Sequence, residues 1–260
     1  MIGFDCHAHI YEKVASVPGA RYVPSTPAPL ENWLTHLRHH RIKGGVIVQI
    51  SFLGTDNTEL CAALAKLDRK CFAGVAVVDL DVTDQALANL VNVGVRGIRW
   101  NLVRGKGIPD LSSQAVQGFL RRLHRHDLHL EIHLEGPRLA PILAPLTDQG
   151  VRIVVDHFGL PSDPDPNCDP LVMATNSLTD ASSLYFKFSA HYRSQFDVTG
   201  HAHVLLSKLD DGHIVWGSDW PHTQHEDENA FSIARSLCDD WGLKSDSAAA
   251  RDLYRIELEV

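Results

Sequence analysis

Short apolar runs rich in β-branched residues recur along the chain, and each is followed by a stretch whose apolar positions return every three or four residues. The first pattern is that of a strand buried on both faces; the second is the single apolar stripe of a helix lying on a sheet. Strands are predicted at residues 3–9, 45–51, 72–79, 95–101, 128–134, 152–157, 185–191 and 214–219. Helices are predicted at 30–41, 57–67, 84–93, 113–126, 138–149, 169–181, 198–209 and 228–241. In the stretch from 113, Val116, Phe119, Leu120 and Leu123 share one stripe, while Arg121, Arg122 and Arg125 fall largely elsewhere. Gly94, Gly150 and Gly212 each stand just before a strand, where a residue with positive φ ends a helix at little cost.

Eight β-then-α units without a domain-sized linker predict one α/β domain over residues 1–260, a closed (β/α)8 TIM barrel. An open doubly wound sheet fits less well, because no glycine fingerprint follows the first strand. Two segments interrupt the rhythm. Residues 11–29 contain Pro18, Pro24, Pro27 and Pro29, and residues 161–170 contain four prolines and three aspartates. Both follow a strand at its carboxyl end, the face on which barrels build their sites, so both are expected to cross the mouth.

Candidate chemistry sits at those same strand ends. His7 and His9 stand two apart on the first strand, and a period of two aims both imidazoles the same way while Cys6 and Ala8 face the other. Two other H-x-H pairs, His124/His126 and His201/His203, fall on predicted helices, where such neighbours diverge. His133 ends strand five, with Glu131 on its side. His157 ends strand six after Asp156, and Asp219 closes strand eight. Taken singly, each histidine reads as a hydrogen-bonded core residue and Asp219 as a helix cap. Together, on a closed ring, they converge on one rim.

Charge and composition narrow the choices. A net charge of −8 with no basic cluster outside the helix from 113 argues against nucleic acid or an anionic membrane as partner. Five cysteines, none in a C-x-x-C pair, indicate neither a disulfide framework nor a zinc knuckle. Strand-like sequence begins at Gly3, and no apolar run is long enough to span a bilayer, which predicts a cytoplasmic protein.

The segments Asp5-Cys6-His7-Ala8-His9, Gly94 through Leu102, Val155-Asp156-His157-Phe158-Gly159, Phe186 through Arg193 and Gly217-Ser218-Asp219-Trp220-Pro221-His222 together resemble the amidohydrolase-2 family. Within it they are most similar to the branch containing 2-pyrone-4,6-dicarboxylate lactonase. The resemblance implies that His7, His9, His157 and Asp219 do the work. Asp219 would take a proton from water attacking a lactone or ester carbonyl, and the imidazoles would stabilise the oxyanion. Metal-dependent relatives imply a different set, one divalent cation such as zinc on His7, His9, His133 and Asp219, whereas the lactonase branch needs none.

Arg99 and Asn101 share a face of strand four and Arg193 follows strand seven, so both guanidiniums are expected to grip a substrate carboxylate; the bland alternative pairs them with Asp79 or Glu135. Gln49, Ser51, Tyr192 and His222 are further candidate lining residues. Leu160 stands where the lactonase branch carries an arginine three residues after the sixth-strand histidine. Gly105 falls near a second basic position, which only Arg104 or Lys106 can replace. One carboxylate grip is therefore missing, which points to a lactone with one carboxylate or with sugar hydroxyls. The leading expectation is a hydrolase of a small anionic lactone. Its rivals are a zinc-dependent decarboxylase of an unsaturated acid and a barrel that binds a small molecule without turnover.

Overall fold

The computed structural model describes residues 2–20, 22–226 and 231–257. Among them are eight parallel strands: β1 (Phe4–Ala8), β2 (Gly44–Val48), β3 (Phe72–Ala76), β4 (Val95–Asn101), β5 (His129–His133), β6 (Ile153–Val155), β7 (Leu184–Phe188) and β8 (Ile214–Trp216). Each strand pairs with the next in sequence order, so the β-then-α units run once around the ring. The ring closes through a parallel bridge between Ala8 and Trp220, where the His9 amide donates to the Trp220 carbonyl at 2.8 Å and the Asp219 amide to the His7 carbonyl at 2.8 Å. The fold is thus the expected (β/α)8 barrel.

Around it lie α1 (Leu30–His39), α2 (Thr58–Leu64), α3 (Asp84–Val93), α4 (Gln114–Arg125), α5 (Gly136–Leu139), α6 (Leu143–Thr147), α7 (Pro170–Ser177), α8 (Thr199–Leu209), α9 (Phe231–Asp240) and α10 (Ser247–Tyr254). Helix α4 buries the predicted stripe of Val116, Phe119, Leu120 and Leu123. Ser113 caps it by accepting from the Val116 amide, and Trp100 stacks on Phe119 beneath it. Of the basic residues on its outer side, Arg125 pairs with Asp84. The predicted helix at 138–149 is instead two short helices joined by a 3-10 turn, because Pro141 and Pro145 lack the amide a continuous helix needs. For the predicted helix at 228–241, positions 228–230 lie outside the described residues.

Of the three predicted stop glycines, Gly94 ends α3 at φ 109° and Gly150 has φ 72°. Gly212 lies within a 3-10 turn, and the positive φ that ends α8 belongs to Asp210. Helix α10, absent from the predicted set, closes the floor. Its Leu253 and Tyr254 pack with Phe4, Cys6, Val46, Val75, Val154 and Val215, and Asp246 just before it accepts from the amides of Gly3 and Phe4 at 2.9 and 3.2 Å. Cys6 therefore packs toward the barrel interior. The β1–β2 register shifts between Asp5 and Ala8, and this irregularity breaks the alternation that aimed Cys6 outward. No described helix is long and apolar enough to cross a membrane.

Candidate active site

The chain leaves the ladder where the chemistry begins. Strands β6 and β8 stop short of their predicted ends, and His157 and Asp219 follow them at φ 55° and φ 60°. Leu160, Ala190 and His222 also adopt positive φ near the mouth. Left-handed backbone at non-glycine residues costs on the order of 1 kcal/mol or more each, and such costs gather where side-chain aim matters more than stability. Gly217 is needed for a different reason: a Cβ there would stand 2.5 Å from the His7 Cβ, so only glycine lets β8 lie this close to the first-strand histidines.

Asp219 is the centre of the arrangement. Its Oδ1 faces three imidazole nitrogens, His7 Nε2 at 3.5 Å, His9 Nε2 at 3.6 Å and His157 Nε2 at 3.9 Å, and has no hydrogen-bond partner. Its Oδ2 is fully engaged: the Tyr192 hydroxyl donates at 2.5 Å, and Arg193 donates from Nη2 at 2.9 Å and from Nε at 3.2 Å. Burial works to raise this carboxyl, but the Arg193 guanidinium and the imidazoles outweigh it and hold the group well below the usual carboxylate range. Burial keeps His7, His133 and His157 well below the ordinary histidine value. Asp219 is therefore ionised, and His7, His133 and His157 are neutral. Two rings are anchored from behind, His9 Nδ1 on the Val48 carbonyl and His157 Nδ1 on the Ser189 hydroxyl, each at 2.8 Å.

Beneath the rim lies a layer of buried charge. Arg99 binds Asp156 at 2.7 Å and approaches Glu131 at 3.4 Å, while Lys187 binds Glu131 Oε2 at 2.5 Å and lies 3.2 Å from His7 Nδ1. Burial and Asp156 push Glu131 up to about 7 against the pull of Lys187 and Arg99. Burial also acts to raise Asp156, yet Arg99 and Lys187 hold it well below the usual range.

Above the rim opens a cavity of about 440 Å³, lined by His9, His133 and His157 and by the predicted Ser51, Arg99, Asn101, Tyr192 and Arg193. Tyr22, from the proline-rich loop after β1, reaches it as expected, whereas no residue of 161–170 lines it. Gln49 does not line it, since its amide donates to the carbonyls of Asp56 at 2.6 Å and Gly54 at 3.4 Å. His222 stands to the side with its ring 5.8 Å from that of Tyr192, and neither of its nitrogens is bonded. Leu160 and Arg104 also line the cavity, and Lys106 does not. Neither arginine takes the bland alternative. Arg193 goes to Asp219 and Arg99 to Asp156, and it is Arg138 that pairs with Glu135.

Three groups of described residues place potential ligand atoms within 4.8 Å of one another: His7, His157 and Asp219; His133, Asp156 and His157; and His7, Glu131 and Asp156. By donor type the first fits a divalent cation, with His7 Nε2 and Asp219 Oδ1 both lacking a partner. The expected set of His7, His9, His133 and Asp219 does not come together as one group, because His133 joins Asp156 and His157 instead.

The sequence reading did not assign Lys187, Ser189 or the pairing of Glu131 and Asp156. Lys187 carried a usable signal, a lysine between Phe186 and Phe188 inside an apolar strand.

The chain is 28% identical over 236 residues to a 4-sulfomuconolactone hydrolase of Rhizobium radiobacter, covering 86% of this chain and 77% of that protein. A structure from Acinetobacter baumannii, described as a probable 2-pyrone-4,6-dicarboxylic acid hydrolase with citric acid bound, superposes with a TM-score of 0.88 at 29% identity, covering 98% of this chain and 100% of that one. One from Pseudomonas putida with the same provisional description gives 0.87 at 32% identity, covering 98% of each. The amidohydrolase profile (Amidohydro_2) matches residues 4–254, nearly the full length, and the chain belongs to the amidohydrolase family.

Proposed function

We propose that this protein hydrolyses a small lactone or related carboxylic ester that carries an anionic group. The observation that supports the reading most directly is the asymmetry of Asp219, whose Oδ2 is held by Tyr192 and Arg193 while Oδ1 is unpartnered among three imidazoles. A carboxylate fixed through one oxygen can accept a proton on the other without losing its aim. In the proposed reaction, Asp219 Oδ1 takes a proton from water as the water oxygen bonds to the carbonyl carbon. Imidazole N–H groups of the rim polarise the carbonyl oxygen and stabilise the tetrahedral anion. The ring C–O bond then breaks, and the proton held on Asp219 passes to the departing oxygen, leaving an open-chain acid. The low pKa of Asp219 makes it a weak base, which suits an activated lactone with a good leaving oxygen.

Arg99, Asn101, Arg193, Ser51 and Tyr192 are proposed to seat the substrate, with Arg104 at the outer wall. Gln49 and His222 act at one remove, through the loop after β2 and through Tyr192. The relatives named for lactone and pyrone-acid hydrolysis support the substrate class. A second reading, favoured by the close approach of His7, His157 and Asp219, has those three, with His9 alongside, hold a divalent cation such as zinc, which would supply Lewis-acid polarisation of the carbonyl. A panel of lactones and carboxylic esters, followed by proton release, tests the proposal. Turnover of at least one anionic lactone is expected, reduced about 10³-fold in Asp219→Asn. Full activity in that variant would remove the assigned base.

A further inference from the structure

An ammonium in the middle of a barrel loses most of its hydration and persists only where acceptors replace the water. Lys187 on β7 is fully buried, and its Nζ meets Glu131 Oε2 at 2.5 Å, Asp156 Oδ1 at 3.6 Å and His7 Nδ1 at 3.2 Å. Arg99 reaches the same two carboxylates from β4, so two cations face two anions and the imidazole lies at the edge of the group. An ammonium has donors only, so toward His7 it donates and Nδ1 supplies the lone pair. A neutral imidazole carries one ring proton, which must then be on Nε2, the nitrogen 3.5 Å from Asp219 Oδ1. Asp156 Oδ1, 3.4 Å from Nδ1, is the acceptor that competes for a proton there, and it stands farther from Nδ1 than the ammonium does. His9 is built the opposite way. Its Nδ1 sits 2.8 Å from the Val48 carbonyl, which can only accept, so Nδ1 carries a proton, and in a neutral ring Nε2 then presents the lone pair.

We infer that Lys187 is a positioning residue that fixes His7 in its Nε2–H tautomer, making the first-strand pair one donor and one acceptor instead of two ligands for a metal ion. Ligation by His7 Nε2 requires moving its proton to Nδ1, against the ammonium behind it. The inference deepens the hydrolase proposal and rests on it for its meaning: His7 donates to the carbonyl oxygen while His9 accepts.

The test reads the ring protons and does not depend on turnover. In a long-range ¹⁵N–¹H spectrum of the wild-type protein, with the His7 signals identified by their loss in His7→Gln, Nε2 should show the protonated shift and Nδ1 the unprotonated one. The reverse pattern overturns the inference. Zinc titration by calorimetry supplies a second reading. Lys187→Met combined with Glu131→Gln, which leaves no lone buried carboxylate, should bind zinc about tenfold more tightly than wild type, with the His7 proton moved to Nδ1. Unchanged affinity and tautomer in a folded variant overturn it as well. If the double variant does not fold, the wild-type spectrum decides alone. An inert lactone panel alongside the expected tautomer would count against the hydrolase proposal and leave the role of Lys187 standing.

Discussion

Asp5 and Asp219 flank the junction of the first and last strands, and both are fully buried, yet they are used in opposite ways. Asp5 accepts through both oxygens, from the amides of Ser218 at 2.8 Å and His7 at 3.3 Å, from the Ser218 hydroxyl at 2.7 Å and from Trp33 Nε1 at 2.8 Å. All its donors are neutral, and burial still pushes it up to about 6. Asp219 is bonded through one oxygen only, but one of its partners is the Arg193 guanidinium, and it stays well below the usual range. Neutral hydrogen bonds alone do not offset burial, whereas a charged partner does. The saturated carboxylate bolts β1 to α1 and to the segment after β8; the unsaturated one is available to react.

The sharpest way to break this comparison is to neutralise each group in turn. Asp219→Asn should cost turnover about 10³-fold and lower unfolding free energy as well, by on the order of 2 kcal/mol, because the Arg193 guanidinium loses its charged partner. Asp5→Ala should cost on the order of 3 kcal/mol of stability in urea unfolding, since it leaves several buried donors unpaired.

The pH dependence of stability has a definite sign. The Asp5 pKa is raised in the folded state, so its contribution is complete below the unfolded value near 4 and is lost as pH rises through about 6. Wild type should therefore lose on the order of 2 kcal/mol relative to Asp5→Asn between pH 4 and pH 7. Asp219 behaves in the opposite sense, its contribution present above pH 4 and lost as pH falls through its depressed value. Tyr192→Phe, which removes one of the holds on Oδ2, should lower kcat about tenfold with little change in melting temperature.

The smallest expected effect is no effect at all. With His7 and His157 kept neutral and Asp219 kept ionised, kcat/KM of Glu131→Gln, which lacks the carboxyl raised to about 7, should stay level as pH falls from 8 through 6.5. An inflection near 6.5 would reveal a working histidine that titrates as it does in water.

The ring of strands and most of the rim were legible because they depend on local period. His7 on β1 and His9 just past its end meet at one carboxylate, while His124 on α4 and His126 at its C-cap go to separate partners, the Gly150 carbonyl and Asp84. The interior of Cys6 was not legible, because the β1 irregularity depends on pairing with β2. The partners of Arg99 and Arg193 lie far off in sequence, and a guanidinium shows no preference among carboxylates until the fold brings one near. The role of Lys187 was hidden in a strand whose two faces are both buried, so that alternation could not say which side faces the axis.

The bonds that close the ring also join the working groups to one another: the Asp219 amide holds the His7 carbonyl, and the His9 amide holds the Trp220 carbonyl. A chain that has made seven of its eight units has the imidazoles but not yet Asp219, the carboxylate on which three of them converge. On the proposed reaction, catalytic competence and topological completion would arrive in the same step.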